Sequence, residues 1–328
     1  MTWLTWRQHR MEAVGAVVAL SLVGGFLALT GLPMRAAFNG QVHECLSLTG
    51  DAFRQHSCQG LLRGFENQAT FDGLIAYFNF LPALAGLFVG APLVARELER
   101  GTHRLVWTQG ITRLRWVSIK LFLLVLGCAI VAVAFTAVMT WWRFPIDQVQ
   151  GRLLPVGFDF EGLTPTAYAL FAFALGAAVG TVVRRTVPAI AITLLGFLAV
   201  RFPVEFLLRP NYMAPVTTVS GFSATAGSDP RADGRGDWIL QGGLMDSTHH
   251  RLSNGELSQL YSAASNGAAN TKGGADAYIQ AHGYLSYVDF QPANRFWTFQ
   301  GIEAAIFLSL VVLLLGFTVW WVRARSAG

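Results

Sequence analysis

Charged residues are scarce in this chain. Asp, Glu, Lys and Arg make up 13% of its 328 residues, whereas hydrophobic residues make up 53%. Soluble domains typically carry about 25% charged residues. The deficit is uneven, because several stretches of about 20 residues carry almost no charge. A helix of about 20 residues has the length that crosses a bilayer core about 30 Å thick. The composition therefore argues against a soluble enzyme and predicts a polytopic membrane protein.

Catalytic and nucleotide-binding motifs are also lacking. The sequence contains no G-x-x-x-x-G-K-S/T phosphate loop, no G-x-S-x-G elbow and no H-E-x-x-H zinc motif. We therefore expect no catalytic residue, cofactor or metal site in this chain, and no enzymatic activity of its own. The net charge of +5 is explained by membrane topology, so nucleic-acid binding is not expected.

Six apolar stretches have the length of a membrane-spanning helix: about 13–32, 74–95, 117–142, 165–183, 187–208 and 297–322. They do not show the alternating polarity of barrel strands. The predicted fold class is an all-α polytopic membrane protein with six transmembrane helices. Between helices 5 and 6, residues 209–296 are rich in Gly, Ser, Asn and Asp and predict a small, loop-rich extracytoplasmic domain. The predicted domains are thus 1–208, 209–296 and 297–328.

Basic residues are concentrated in four short regions: 1–12, 96–116 with Lys120, 184–186 and 323–328. These regions hold 12 of the 24 Lys and Arg residues but only three of the 19 acidic ones. Cytoplasmic loops carry an excess of Lys and Arg. With six spans, both termini are therefore predicted to be cytoplasmic, with residues 323–328 as a short basic tail.

Only three cysteines occur in the chain. Cys45 and Cys58 fall in the first predicted outside loop, where an oxidising compartment permits a disulfide. We predict that they are bonded, with two free thiols as the alternative. At the N-terminus, a short helix would place Trp3, Trp6, Arg7 and Arg10 along one side. Trp and Arg at a bilayer boundary are typical of an interfacial helix, and a frayed basic N-terminus is the alternative.

The predicted cytoplasmic loop at 96–116 is the only sizeable one. Its charges alternate in sign until Gly101, which can end a helix, and Thr102 can cap a second short helix that contains Trp107. Such an element suits docking of a cytoplasmic protein, with charges that fix the register and an aromatic anchor. A basic connector without a partner is the alternative. The candidate docking residues are Arg96, Glu97, Glu99, Arg100, Gly101, Thr102, Arg104 and Trp107.

Four features of the chain together resemble a bacterial ABC-2-type transporter permease. They are the string Arg-Glu-Leu-Glu-Arg-Gly-Thr at 96–102, the six spans, the Trp- and Arg-rich N-terminus and the large outside segment before the last span. The resemblance implies a plasma-membrane permease subunit that exports its substrate as a dimer, with a second copy or a close paralogue. A separate cytoplasmic ATP-binding subunit would hold ATP and magnesium. It also implies that 96–116 is the coupling helix of the family, and that the N-terminal helix is its connecting helix.

Few buried charges are available to specify a small ion, so we expect an amphipathic substrate: an antibiotic or other drug, a peptide or a lipid. Efflux, including multidrug export, is compatible with this expectation. The alternative function is a membrane receptor or sensor whose 209–296 domain binds an extracellular ligand.

Three ionisable residues lie inside predicted spans. Arg201 and Glu205 are four residues apart on one face of the fifth span, and Glu303 lies about one turn into the sixth. Charged groups within a membrane are costly and pair with one another. We predict a polar lock near the outer surface, with an ordinary interhelical ion pair as the alternative.

Overall fold

The computed structural model describes residues 2–48, 58–68, 76–81, 84, 86–99, 113–222, 236–267 and 274–325. The chain divides into two compact units. The helical unit comprises Met1–Val149, Pro155–Arg209 and Trp297–Gly328, and the sheet unit comprises Gln150–Leu154 and Pro210–Phe296.

The described α-helices are α1 (Thr2–Ala37), α2 (His43–Ser47), α3 (Cys58–Gln68), α4 (Ala91–Glu99), α5 (Arg113–Gln150), α6 (Pro155–Phe158), α7 (Thr164–Val183), α8 (Thr186–Pro203), α9 (Asn254–Gly267), α10 (Gly274–Ala281) and α11 (Phe296–Arg325). The π-helical segments are Phe38–Val42, Gly86–Gly90 and Val204–Leu208, and the 3-10 segments are Ala76–Phe80, Arg209–Asn211 and Ala293–Arg295.

Five of the six predicted spans are confirmed as helices that are long and apolar enough to cross a membrane. These helices are Arg10–Gly40, Val117–Gln150, Thr164–Val183, Thr186–Asn211 and Ala293–Ala324. The second predicted span, 74–95, includes positions outside the described residues, and its described parts are a 3-10 segment, a π segment and the start of α4. That span stays a prediction.

Helix α7 lies at the centre of the helical unit. In its most apolar 18-residue window 67% of the residues are buried, against 6% in the corresponding window of α1. The core beside it is aromatic, because Phe171 stacks on Phe197 of α8 and packs edge-on against Phe307 of α11. The membrane helices α8 and α11 are thus held against one central helix, whereas α1 leaves most of its apolar surface uncovered.

Glycines allow close contacts between helical segments of this unit. Gly86 and Gly90 face α7, where Gly176 and Gly180 lie four residues apart. A Cβ at Gly176 would lie inside van der Waals contact of the Gly86 carbonyl oxygen and of the Ala91 nitrogen. Small residues at this spacing let helix backbones approach in membranes. The pairing brings the segment that leads into α4 directly against α7.

The sheet unit contains a three-stranded antiparallel sheet. Its strands are β1 (Val216–Gly221), β2 (Trp238–Met245) and β3 (Leu285–Gln291), with β3 in the centre. Val216 pairs with Phe290, and Trp238 pairs with Gln291. A small core forms where Leu244 of β2 meets residues of α9 and α10, namely Leu260, Ala264 and Ile279.

This sheet corrects the all-α prediction. The Gly content of 209–296 predicts a loop-rich segment, because glycine is disfavoured in strands. Gly242 and Gly243 nevertheless lie inside β2, where they pair with Val288 and Tyr287 of the central strand. Burial against the two helices outweighs the weak local propensity, and the four consecutive β-branched residues that begin β1 are a strand signal.

Asp289 on the central strand joins β1 to the segment that follows β2. Its carboxylate accepts hydrogen bonds from Thr217 Oγ1 at 2.5 Å and from both terminal nitrogens of Arg251 at 2.7 and 3.0 Å. The Arg251 guanidinium also stacks 4.4 Å from the centroid of the Tyr287 ring. Desolvation opposes ionisation, but the hydrogen bonds from Thr217 and Arg251 outweigh it and lower the pKa of Asp289.

We expect the sheet unit to lose stability in acid through Asp289. Because its pKa is lower in the folded state, its contribution is complete above the unfolded value of about 3.9 and is lost as the pH falls through the folded value. Hydrogen–deuterium exchange of β3 peptides checks this. Asp289→Asn should exchange faster than wild type at pH 6, and the difference should narrow as the pH falls below the unfolded pKa of about 3.9. Asp276→Asn is the control, and a difference that persists unchanged in acid would contradict the assignment.

A disulfide joins Cys45 to Cys58, with the Cα atoms 5.5 Å apart. Cys45 lies in α2 and Cys58 begins α3, so the bond ties the two short helices that follow α1. Phe38, which follows α1, packs against Phe65 of α3, with ring centroids 6.0 Å apart. Both cysteines are therefore paired, whereas Cys128 is a free thiol within α5.

Candidate functional site

A buried charge cluster lies where the C-terminal end of α8 meets α7 and α11. Its members are Asp159, Tyr168, Arg201, Glu205, Arg209 and Glu303. Side chains of four of them are 0–6% exposed, and Glu205 is 18% exposed. Tyr168 is also buried. Such an arrangement is stable in an apolar setting only when the charges are paired and hydrogen-bonded.

Arg209 is the centre of the cluster. Its Nη2 lies 2.6 Å from Asp159 Oδ1 and 2.8 Å from Glu303 Oε1, and its Nε donates to Glu303 Oε2 at 2.9 Å. The guanidinium therefore forms a bidentate ion pair with Glu303, with one nitrogen bonded to each carboxylate oxygen. This is the geometry in which Arg binds carboxylates most strongly. Its Cζ also lies 4.4 Å from the centroid of the Phe158 ring. Arg209 thus joins the end of α8 to two other parts of the unit.

Arg201 adds a second guanidinium to the same carboxylates. Its Nη2 lies 2.7 Å from Asp159 Oδ2, and its Nη1 lies 3.6 Å from Glu303 Oε1 and 3.3 Å from Glu205 Oε2. The Tyr168 hydroxyl donates to Glu303 Oε1 at 2.5 Å. The Tyr168 ring lies under Arg201, 4.3 Å from its Cζ. Asp159 and Glu303 are therefore each shared between the two arginines.

Gln300 fixes the loop that carries Asp159. Its Oε1 accepts hydrogen bonds from the backbone N–H groups of Leu163 and Thr164 at 2.9 and 3.0 Å, and its Nε2 donates to the Phe158 carbonyl. Gly162 allows this contact, because its φ of 71° is left-handed and a Cβ there would collide with the Gln300 side chain. One residue of α11 thereby caps α7 and orients the loop between α6 and α7.

The opposite end of α8 carries a second polar contact. Glu99, the last residue of α4, accepts hydrogen bonds through Oε2 from the backbone N–H of Thr186 at 3.1 Å and from its hydroxyl at 2.7 Å. Nearby in sequence, Arg96 lies 4.0 Å from Glu12 of α1. Lys120 of α5 is buried, and its Nζ donates to the Leu93 carbonyl at 3.3 Å. The end of α4 is thus tied to α1, α5 and α8.

No metal site is found in the described ranges, because they contain no group of three or more His, Cys, Asp or Glu side chains placed to hold an ion. The buried charge cluster pairs its carboxylates with guanidinium groups instead. Its geometry is that of an ion-paired contact between helices.

A comparison with known families decides the identity. The sequence model of the family described as "ABC-2 membrane transporter related" matches residues 17–209, more than half of the chain. The chain belongs to the ABC-2 membrane transporter related family. No curated protein and no solved structure matches it. The resemblance to an ABC-2-type permease drawn from the sequence is thereby confirmed.

The ABC-2 match covers Arg201 and Arg209 but ends at residue 209. Of the predicted lock, the structure brings Arg201, Glu205 and Glu303 together. It also adds three residues that the sequence analysis missed: Asp159, Tyr168 and Arg209. Asp159 is in a loop that the sequence places outside the membrane, and Tyr168 has no distinguishing signal in an apolar span.

Arg209 was missed because of helix geometry. In an α-helix at 3.6 residues per turn, position 209 would lie about 80° around the axis from position 201. The π segment Val204–Leu208 has a wider turn, which reduces the rotation per residue and returns Arg209 to the face of Arg201. π segments often occur at functional sites. The spacing of eight positions between Arg201 and Arg209 therefore does not indicate, from the sequence alone, that they share a helix face.

The predicted docking residues of this ABC-2 chain are only partly described. Arg96, Glu97 and Glu99 lie in α4. Arg100, Gly101, Thr102, Arg104 and Trp107 lie outside the described residues. At the N-terminus, Trp3, Trp6, Arg7 and Arg10 lie in α1, which runs without a break from Thr2 into the first span. Arg7 and Arg10 are exposed.

Proposed function

We propose that this chain is the membrane permease subunit of an ABC exporter. It would provide the pathway across the bacterial plasma membrane, with both termini cytoplasmic, while a separate ATP-binding subunit would supply ATP hydrolysis. The observation that carries the proposal is the ABC-2 family match over residues 17–209. The five apolar membrane helices are in agreement with it. The ATP and its magnesium would be bound by the partner subunit.

The coupling loop is proposed to be residues 96–116. The described parts of this region are the end of α4 and the start of α5, and the last turn of α4 carries both signs of charge, at Arg96, Glu97 and Glu99. Charged residues set register and association rate in such interfaces, and an aromatic anchor supplies affinity. Trp107 is the aromatic residue in the middle of the loop.

Removal of two docking residues should weaken binding of the ATP-binding subunit. Glu97→Ala combined with Trp107→Ala should weaken association by about 100-fold, since a buried aromatic hot spot alone contributes about 2 kcal/mol or more. Co-purification from membranes measures this. Glu256→Ala with Tyr261→Ala, an exposed acidic and aromatic pair in α9 of the sheet unit, is the matched control. Undiminished association of the double variant would contradict the docking assignment.

The buried charge cluster is proposed to act as a polar lock on the export pathway. Arg201 and Arg209 on the α8 side bind Glu303 on α11 and Asp159 beside α7. Separation of these helices would expose four charges to lipid or to a pathway, and only water or substrate could then solvate them. The closed arrangement is therefore favoured until another source of free energy opens it.

Glu303→Gln should loosen the lock. The substitution keeps the size of the side chain but removes the negative charge to which Arg209 donates twice. A charge-assisted hydrogen bond contributes about 1.5–3 kcal/mol, so leak of an amphipathic fluorescent dye from proteoliposomes without ATP should rise about tenfold or more. Glu256→Gln controls for the chemical change. Equal leak at equal amounts of folded protein would remove the support for a lock.

The pathway is proposed to form between two permease copies, either identical or closely related. Helix α1 supports this, because its apolar surface is uncovered within one chain and would face lipid or the second copy. The substrate is proposed to be amphipathic: a drug, a peptide or a lipid. The arginines and carboxylates of the cluster are engaged with one another and offer no dedicated site for a small ion.

A further inference from the structure

Helix α8 begins with a cap that comes from another helix. The first N–H groups of a helix have no partner within the helix, and the residue before it usually supplies a side-chain oxygen. Arg185 holds that position and makes no such bond. Glu99 takes this role from the end of α4, with hydrogen bonds of 2.7 and 3.1 Å to Thr186. Its negative charge also suits the positive end of the helix dipole.

Glu99 lies near the start of the proposed coupling loop, 96–116. Glu99 is the last described residue before 100–112, the part of the chain that carries most of the predicted docking residues. Its carboxylate contacts Thr186 of the same chain. Glu99 therefore links the proposed coupling loop to α8. This contact lies within the permease chain and is separate from any contact with the ATP-binding subunit.

Helix α8 is tethered at both ends. It continues through the π segment and the 3-10 segment to Asn211 without a break. Thr186 and Arg209 are thus about 34 Å apart at 1.5 Å per residue, and the far end carries the two arginines of the buried charge cluster. Rigid helices carry coupling between distant sites when both ends have alternative arrangements.

We propose that Glu99 is a positioning residue that transmits movement of the coupling loop to α8, and through α8 to the buried charge cluster. The inference rests on the proposed function, because it requires an ATP-binding subunit that moves the loop. Displacement of the loop would withdraw Glu99 from Thr186, and α8 would then be free to shift relative to α4. Arg201 and Arg209 would shift with it.

The test compares Thr186→Val and Glu99→Gln with Thr193→Val. Val keeps the shape of Thr186 but removes its hydroxyl donor, whereas Thr193 lies in the same helix and donates to the Ala189 carbonyl of that helix. The complex with the ATP-binding subunit is reconstituted in vesicles. For Thr186→Val we expect association within twofold of wild type, but about tenfold less substrate exported per ATP hydrolysed, in keeping with the loss of a helix cap.

A double-variant cycle tests whether Glu99 and Thr186 act through the same contact. Glu99→Gln with Thr186→Val should be no worse than the more defective single variant, because both remove one contact. An unchanged export ratio for Thr186→Val, or loss of association for Glu99→Gln as large as for the Glu97 and Trp107 pair, would overturn the inference. Failure of the wild-type chain to bind any ATP-binding subunit would instead contradict the proposed function itself.

The isolated chain provides a second measurement. In hydrogen–deuterium exchange, Glu99→Gln should speed exchange in peptides that cover 186–190 and 201–209, whereas Thr193→Val should not. Faster exchange in the first peptide alone would show a local cap without transmission, and it would also overturn the inference.

Discussion

Arg209→Met should lower the free energy of unfolding of the helical unit by about 3–5 kcal/mol, the usual cost of removing one partner from a buried ion pair. The side chain of Arg209 is fully buried, and its removal leaves Glu303 without the guanidinium that donates to both of its oxygens. Asp159 would keep Arg201. Thermal unfolding in detergent, followed by intrinsic fluorescence, should show a decrease in midpoint of about 10 °C.

Two further variants separate charge from size. Arg323→Met removes an exposed arginine near the end of α11 and should change stability by less than about 0.5 kcal/mol. Arg209→Met combined with Glu303→Met removes both partners, and it should be more stable than Arg209→Met alone because Glu303 is no longer left as an underpaired carboxylate. If the double variant were the less stable one, packing rather than pairing would be the main contribution of Arg209.

Gly176→Leu should strongly reduce the amount of correctly folded helical unit. A side chain at this position would overlap the Gly86 carbonyl oxygen and the Ala91 nitrogen, and these are backbone atoms that cannot move aside as a side chain would. Overpacking of a tight interior costs about 1–3 kcal/mol and more where backbone must shift. We expect at least a tenfold decrease in folded protein recovered from membranes, measured by size-exclusion chromatography.

Gly127→Leu is the matched control for this glycine. Gly127 lies in the middle of the membrane helix α5, and nothing in the described part of the chain lies within 4 Å of a Cβ at that position. Its replacement should leave the yield within twofold of wild type. Similar losses for both variants would show that the effect comes from leucine in a membrane helix and not from the contact between α7 and the Gly86–Gly90 segment.

The sequence predicted the membrane helices well, because apolar runs near 20 residues are rare outside membrane spans in a chain this poor in charge. The predicted run 165–183 agrees with α7 (Thr164–Val183) to within one residue at its start. The sheet was missed because the β-branched residues of β1 are its main local signal, and the rest of the segment is polar and rich in glycine. Strands β1 and β2 are short and contain glycines, and the stability of the sheet comes from contacts with α9 and α10 that local sequence does not reveal.

The candidate site was predicted in part. Arg201 and Glu205 are four residues apart in one helix, a spacing that sequence shows directly. Glu303 was recognisable because a carboxylate within an apolar span requires a partner. Asp159 lies in a loop whose path depends on Gln300 and on the left-handed Gly162. Such tertiary contacts have no local periodicity, so Asp159 could not be assigned to the cluster.

The π segment Val204–Leu208 has a consequence for how the chain tolerates change in length. Removal of one uncharged residue within it would leave the two arginines seven positions apart, and an ordinary α-helix turns through about 700° over that distance. Arg209 would then stay within about 20° of the face that carries Arg201. Insertion of one residue would instead add about 100° and turn Arg209 away from Glu303 and Asp159. The segment should therefore tolerate the loss of a residue better than the gain of one, although every charge of the cluster is kept in both cases.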